Sequence, residues 1–485
     1  MAGEADALSR EAALLYRSGR LDAARDTYGR LLALDPHRPN DWLNYGLLLR
    51  RNGEPRAALA AYDAALEHGA RAAEEIHLNR AVILVDDLAD AEQARRALET
   101  ALETRPGYVP ALINLGNIHE DAGDRDAARK AYHEALNLAP DNALALMRLV
   151  EVTRFESPDD PLIESLRNAT LRTERSPLDR ADLGYALGRA LDQCGDYDAA
   201  FAAYRTANEG SRALAPHGYD RSGAEAFVGR IIEQFGSEGD GAPGRGDPAP
   251  VFICGMFRSG STLVERILSS HSELTAGGEL PILPRIVREE LQPYPDAVAG
   301  KDPGFFARLG ERYRALLDDI GLDPAGLTDK RPDNFLHVGL IKRMFPGAKI
   351  VLTHRNPWDN CLSVYFAHLD PALTYGSSLD SCAHWYAQFA RLAAHWKQAY
   401  PGDIHVADYD ALVREPRAQI ASLLEFLGLD WEEACLEPHA GTGSVRTASA
   451  WQVREPLYGR SSGRWRNYAT HLDALFERFG HPDGS

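Results

Sequence analysis

Arg258, Glu279, Lys330, Arg355 and Ser363 stand in contexts suited to holding an anion and moving a proton beside it. The first lies in PVFICGMFRSGSTLVERILSSH, residues 250–271. Pro250–Cys254 is a short apolar run of the kind that forms a buried parallel strand. Gly255, Arg258, Ser259, Gly260, Ser261 and Thr262 follow, leading into the amphipathic helical stretch TLVERIL. A strand, a glycine-bearing loop and a helix start make an anion site, because backbone N–H groups converge there and the helix dipole favours negative charge. Arg355 comes just after a second apolar run, Lys349–Thr353, and Pro357 suits the first turn of a following helix. Ser363 lies eight residues after Arg355, and a guanidinium fork with a hydroxyl suits a phosphate dianion. Glu279 sits in a Gly-rich bend before a helix that opens near Pro281. A carboxylate there either takes a proton from a hydroxyl or simply favours the helix start, and Glu273 is the fallback for the first role.

The glycine spacing of the loop matches GxxxxGK[ST] of nucleotide triphosphatases, yet Ser261 stands where that loop carries Lys, which argues against ATP or GTP hydrolysis. The RSGST core instead resembles the 5′-phosphosulfate loop of sulfotransferases, enzymes that use 3′-phosphoadenosine-5′-phosphosulfate (PAPS). Similarity is closest to the tyrosylprotein sulfotransferase branch and its bacterial, repeat-bearing relatives, and it runs from Pro250 to the C-terminus. The resemblance implies PAPS as co-substrate and no metal. It implies that Arg258, Ser259, Gly260, Ser261 and Thr262 hold the 5′-phosphosulfate, and that Arg355 and Ser363 hold the 3′-phosphate. Glu279 takes the place of the general base. Lys330, after a short expected strand at Gly326–Asp329, would neutralise charge on the leaving oxygen, with Arg331 the neighbouring alternative. Positioning and charge stabilisation would carry most of such a transfer, with Arg258 and Lys330 replacing a metal. Ser449, Tyr409 and Arg464 match further cofactor-contacting positions, Ser449 counted with the catalytic group. The branch has another Arg four residues after the Ser, where this chain has Ala367, followed by His368.

Strands expected near 250–254, 326–329, 349–353 and 403–408 alternate with helices, which predicts a parallel, doubly wound sheet with the cofactor at the strands' C-terminal ends. Trp385, Tyr386, Phe389 and Trp396 recur at helical spacing and read as core.

The N-terminal half is built differently. Gly19 and Tyr28 recur as Gly53 and Tyr62, Gly123 and Tyr132, and Gly195 and Tyr204. Gly46, Gly116 and Gly188 each precede the later glycine by seven residues. This period resembles the tetratricopeptide repeat, a 34-residue helical hairpin. Copies fall near 6–36, 39–70, 71–106, 109–142 and 178–211, the third carrying an acidic insertion, VDDLADAEQ. One hairpin cannot bury its apolar face alone, so the copies must stack, and the concave groove of such arrays takes peptides or partner proteins.

Composition limits the partners. The chain of 485 residues has a formal net charge of −18, which argues against general binding to nucleic acid or anionic membrane. The charge is uneven: residues 1–250 hold 29 basic and 42 acidic side chains, residues 251–485 hold 24 and 29. The exception in the second half is a basic stretch holding Arg446, Arg454, Arg460, Arg464 and Arg466, which would focus positive potential. No apolar run approaches a membrane span, no signal core opens the chain, and five cysteines without a CxxC pair suit a reduced, cytoplasmic setting.

These readings predict an all-α tetratricopeptide-repeat solenoid over 1–235, a Gly/Pro-rich linker over 236–249, and an α/β P-loop-type domain with a parallel sheet over 250–485. The expected activity is sulfuryl transfer from PAPS to an acceptor hydroxyl, with the repeats as docking scaffold. A peptide tyrosine is the acceptor the resemblance suggests, and a carbohydrate or small hydroxyl compound is also open. A divergent nucleotide kinase or triphosphatase and a catalytically dead repeat scaffold are the competing readings.

Overall fold

The computed structural model describes residues 2–88, 90–172, 174–215, 217–235, 248–438 and 461–481. The chain divides into two compact units, Met1–Thr153 and Arg154–Ser485.

In the first unit, helices pair in sequence: Ala2–Arg17 with Leu21–Leu34, Pro39–Arg51 with Pro55–Glu67, Ala73–Asp86 with Ala91–Thr104, and Val109–Asp121 with Arg125–Leu138. Ala143–Val152 packs against the last pair. The first four expected copies coincide with these hairpins. The recurring glycine and tyrosine have a steric reason. A Cβ on Gly46 would lie 2.4 Å from the Tyr62 ring, and one on Gly116 would lie 2.3 Å from the Tyr132 ring. Both rings are fully buried, so a hydrogen at these positions lets the partner helix close over a large apolar face. The third hairpin carries Ala81 and Leu98 at the equivalent positions, both buried: an aliphatic side chain replaces the ring, and a methyl replaces the glycine on the helix opposite. That exchange explains why its repeat pattern reads as loose.

The fifth copy, Pro177–Gln193 with Tyr197–Leu214, uses the same device, with Gly188 against Tyr204. It lies in the second unit, as do Pro161–Thr170 and Arg221–Gln234. Asp160, Ser176, Asp196 and Asp220 cap these four helices by accepting a backbone N–H of the first turn.

Five parallel strands follow: β1 Val251–Gly255, β2 Thr275–Ala276, β3 Leu327–Lys330, β4 Ile350–His354 and β5 Ile404–Asp408, in the order β2-β3-β1-β4-β5. Four occupy the expected places, and the short edge strand β2 is additional. β1, β3 and β4 are almost wholly buried, as strands covered on both faces must be. The chain leaves β1 toward the β3 side and returns to add β4 on the other. The order therefore reverses between β1 and β4, and the crevice outside their C-terminal ends is where an α/β sheet binds its ligand. Tyr386, Phe389 and Trp396 are buried in the helix Leu379–Ala399, and Cys254, Cys361, Cys382 and Cys435 are buried too. No helix of the described residues is long and apolar enough to cross a membrane.

The packing of Gly116 sets a first prediction. Tyr132 cannot swing away, because its hydroxyl sits 2.9 Å from both Asn117 Oδ1 and Glu120 Oε2, two acceptors that share its one proton. Gly116→Ala should therefore lower stability by about 1–3 kcal/mol through overpacking, despite the better helix propensity of alanine. Urea denaturation of the full chain followed by far-UV circular dichroism measures it, and an unchanged midpoint contradicts the steric account.

Candidate active site

The site assembles where β1 and β4 end. Between β1 and the helix Ser261–Leu268, the chain makes a tight loop in which Arg258 has φ +67, the one non-glycine residue at positive φ among those described. Holding a side-chain-bearing residue in that region costs about 1–2 kcal/mol, so its surroundings must impose it. They do. The Arg258 carbonyl accepts Nη1 of Arg355 at 3.1 Å, and the Phe257 carbonyl accepts Nδ2 of Asn360 at 3.1 Å. Ser259 Oγ is buried and sits 2.6 Å from both Thr353 Oγ1 and the Met256 carbonyl, which ties the loop to β4.

Gly260 ends the loop at φ +100, and a Cβ there would lie 2.7 Å from Tyr409 Cδ2. Ser261 and Thr262, both buried, open the helix, and no side chain caps it. Its first-turn N–H groups have no intrahelical acceptor, which is the arrangement an anion completes. The Arg258 side chain reaches the helix Pro357–Tyr365, donating from Nε to Ser363 Oγ at 3.3 Å. Arg355 lies with its guanidinium 4.8 Å above the Tyr409 ring, and Tyr386 Oη donates to its carbonyl at 2.7 Å. Nε of Arg355 is buried with no hydrogen-bond partner among the described residues. A guanidinium held by a carbonyl and an aromatic face, with a buried donor left over, fits an anionic ligand.

The second half of the site lies beyond β1, at the ends of β2 and β3. Lys330 is the last residue of β3, paired in register with Ile253 and fully buried. Its Nζ is 2.6 Å from Oε1 of Glu279, whose side chain is 39% exposed. The buried cation thus has a partner that still faces solvent. Glu273 precedes β2 and so lies at the opposite end of that strand from Glu279. Arg331 pairs with Asp333 at 2.8 Å.

Two buried carboxyl groups beside this pair escape sequence reasoning. Glu265 Oε1 accepts the Gly278 N–H at 3.0 Å and the Thr328 hydroxyl at 3.0 Å, so the loop helix grips the residue next to Glu279. Burial raises its carboxyl above the ordinary range, against the lowering effect of Lys330. Asp329 accepts the Tyr313 hydroxyl at 2.6 Å, and burial pushes its carboxyl up to about 7. The one available signal for Glu265 is its phase: it shares a helix face with Ser261 and Leu268, which a buried stripe would occupy.

The structure therefore brings together Arg258, Ser259, Gly260, Ser261, Thr262, Arg355, Ser363 and Tyr409, with Glu279 and Lys330 as a pair on the neighbouring strands. Arg464 is engaged elsewhere: its guanidinium pairs with Asp192 at 2.6 Å and lies over Phe366. His368 turns to Asp182 at 3.0 Å and stacks on Tyr185. Ser449, Arg446, Arg454 and Arg460 lie outside the described residues.

Comparison with known proteins finds two kinds of family along the chain. Residues 250–433 match the sulfotransferase family, and residues 9–75, 109–142 and 181–209 match tetratricopeptide-repeat families. An "uncharacterized protein" of Aquifex aeolicus is 33% identical over 354 residues, 69% of this chain; the chain spans only 46% of that relative's length. Protein-tyrosine sulfotransferase 2 of Gallus gallus is 23% identical over 48% of this chain and 69% of its own length. Among solved structures, the sulfotransferase domain of the Synechococcus PCC 7002 olefin synthase is 21% identical over 46% of this chain and 90% of that one, with a TM-score of 0.36.

Asp329 yields a pH prediction. Its carboxyl is ordinarily half-titrated near 3.8 and in the fold near 7, so between those values the native state holds a proton that the unfolded state has lost. Stability must then fall as pH rises through that window and level off above it. Asp329→Asn removes this contribution, so the wild-type-minus-variant difference in unfolding free energy should decline from pH 4 to pH 7. A difference flat across that range, measured by urea denaturation at successive pH values, contradicts the assignment.

Proposed function

For a chain that carries tetratricopeptide repeats ahead of a sulfotransferase-family domain, we propose sulfuryl transfer from PAPS to an acceptor hydroxyl as its activity. The observation that carries the reading is the meeting of Arg258, Arg355 and Ser363 at the crevice between β1 and β4, with Nε of Arg355 buried and without a hydrogen-bond partner among the described residues. Bound there, PAPS supplies the sulfuryl group and a 3′,5′-bisphosphate leaving group. The loop from Arg258 to Thr262 would hold its 5′ end, where the helix start and the Arg258 guanidinium favour negative charge. Arg355 and Ser363 would hold the 3′-phosphate, and Tyr409 supports the Arg355 guanidinium from below. Lys330 Nζ would neutralise charge that develops on the departing phosphate oxygen.

Glu279 takes the acceptor's proton at Oε1, the atom that Lys330 holds. The ammonium keeps the carboxylate oriented, and Glu265, through the Gly278 N–H, keeps the preceding main chain in place. A peptide tyrosine is the acceptor that the named relatives point to, with the repeats as the recruiting surface.

The nucleotide reading is tested with 3′-phosphoadenosine 5′-phosphate and excess chelator. A ligand at a hundredfold excess over its Kd adds about 2.7 kcal/mol, so the melting temperature should rise by several degrees without magnesium. No rise at millimolar ligand sinks the reading. Arg355→Ala should abolish the shift. Glu279→Gln should retain the shift and lower turnover by about 10²-fold or more in an assay with labelled PAPS and tyrosine peptides. Transfer that survives this substitution at full rate removes Glu279 from the base role.

A further inference from the structure

The Arg355 guanidinium leans on a segment far from its own strand: Nη2 donates to the Ser461 carbonyl at 2.5 Å. That segment is tied down at successive residues. Ser462 Oγ donates to Asp410, whose other oxygen holds the Asn356 N–H. Asp359, buried on the helix that also bears Ser363, accepts the Gly463 N–H at 2.5 Å and the Trp465 N–H at 2.8 Å. The last tie comes from the repeat hairpin. Asp192, at the end of the helix Pro177–Gln193, pairs through Oδ2 with Arg464 at 2.6 Å and accepts the Tyr468 hydroxyl on Oδ1. Its two oxygens thus hold two side chains one helical turn apart. The same hairpin holds the far end of the Ser363 helix, where Asn208 Nδ2 donates to the Tyr365 carbonyl at 2.9 Å and Tyr204 stacks on Phe366 at 3.9 Å.

We propose that Asp192 of the repeat hairpin is a positioning residue for the anion site: it fixes the Ser461–Tyr468 segment, whose carbonyl orients the Arg355 guanidinium. The last repeat is then a working part of the site rather than a spacer ahead of it. The identity of the anion rests on the sulfotransferase reading; the mechanical link does not.

Two measurements on the full chain test it: amide hydrogen exchange, and binding of 3′-phosphoadenosine 5′-phosphate by calorimetry. Asp192→Ala should speed exchange at Gly463 and Trp465 about tenfold while leaving the β4 amides unchanged. It should also raise the Kd about tenfold, as a misoriented guanidinium would. Asp192→Asn keeps an acceptor for Tyr468 and loses the charge, so it should fall between. If Asp192 acts through Arg464, Arg464→Ala weakens binding comparably and the double variant is no worse than either single one. Exchange and Kd within twofold of wild type in Asp192→Ala overturn the proposal. Faster exchange in β4 as well marks a general loss of stability and counts against it, with Asp192→Asn then deciding. A wild-type protein that does not bind the bisphosphate sinks the sulfotransferase reading, and exchange at Gly463 and Trp465 still decides the link.

Discussion

A buried ammonium governs the site. Lys330 ends a strand whose residues are all buried, and a cation withdrawn from water there costs several kcal/mol unless it is paired. The chain meets this demand by leaving β2 after two residues and bending through Gly277 and Gly278, so that Glu279 comes to rest against the ammonium. The bend is held from both sides. Lys330 donates its own N–H to the Gly278 carbonyl at 2.9 Å, and Glu265 accepts the Gly278 N–H. A Cβ on Gly277 would stand 2.3 Å from the Thr328 carbonyl, so the path is closed to other residues. The shortness of β2, the paired glycines and the buried Glu265 all serve the placement of one carboxylate beside one amine.

The anion side is organised by the opposite need, to keep positive charge available rather than to neutralise it. Arg355 directs Nη1 and Nη2 to backbone carbonyls, of Arg258 and Ser461, instead of to a carboxylate. Carbonyls orient a guanidinium without cancelling its charge. The pairing with Arg258 also accounts for the positive φ of that residue, since the hydrogen bond to its carbonyl offsets a conformation it would otherwise avoid. Loop strain and arginine orientation are one arrangement.

What could be read from sequence follows from how local each determinant is. The repeats were legible because a glycine facing a tyrosine leaves a fixed spacing, 46 to 62 and 116 to 132, and that spacing survives in the chain itself. The strand–loop–helix from Val251 to Leu268 was legible for the same reason, as was the Arg355–Ser363 interval. Glu265, Asp329 and β2 were not. Glu265 matters through Gly278 and Thr328, residues 13 and 63 positions away, and no local pattern marks such partners. Arg464 is the instructive case: its place before Trp465 suggested a cofactor contact, while the structure supplies a countercharge from residue 192 that only the fold could bring near.

That countercharge alters the meaning of the composition. Dividing the net charge at residue 250 suggests an acidic scaffold and a nearly balanced second half, each self-contained. Yet three carboxylates of one repeat hairpin face partners from the second half: Asp182 meets His368 at 3.0 Å, Asp192 meets Arg464 at 2.6 Å, and Asp198 meets His471 at 2.7 Å. Among these, Asp198 is largely exposed, so its pair contributes little, whereas Asp182 and Asp192 are mostly covered. Acidity that reads in sequence as solubility is, on this hairpin, complementarity to the segment that steadies Arg355. A basic stretch next to an anion site needs such counterions, because unpaired like charges would repel one another and pull the segment open. Asp192 and Arg464 therefore form one electrostatic contact between the last repeat hairpin and the segment whose Ser461 carbonyl orients Arg355.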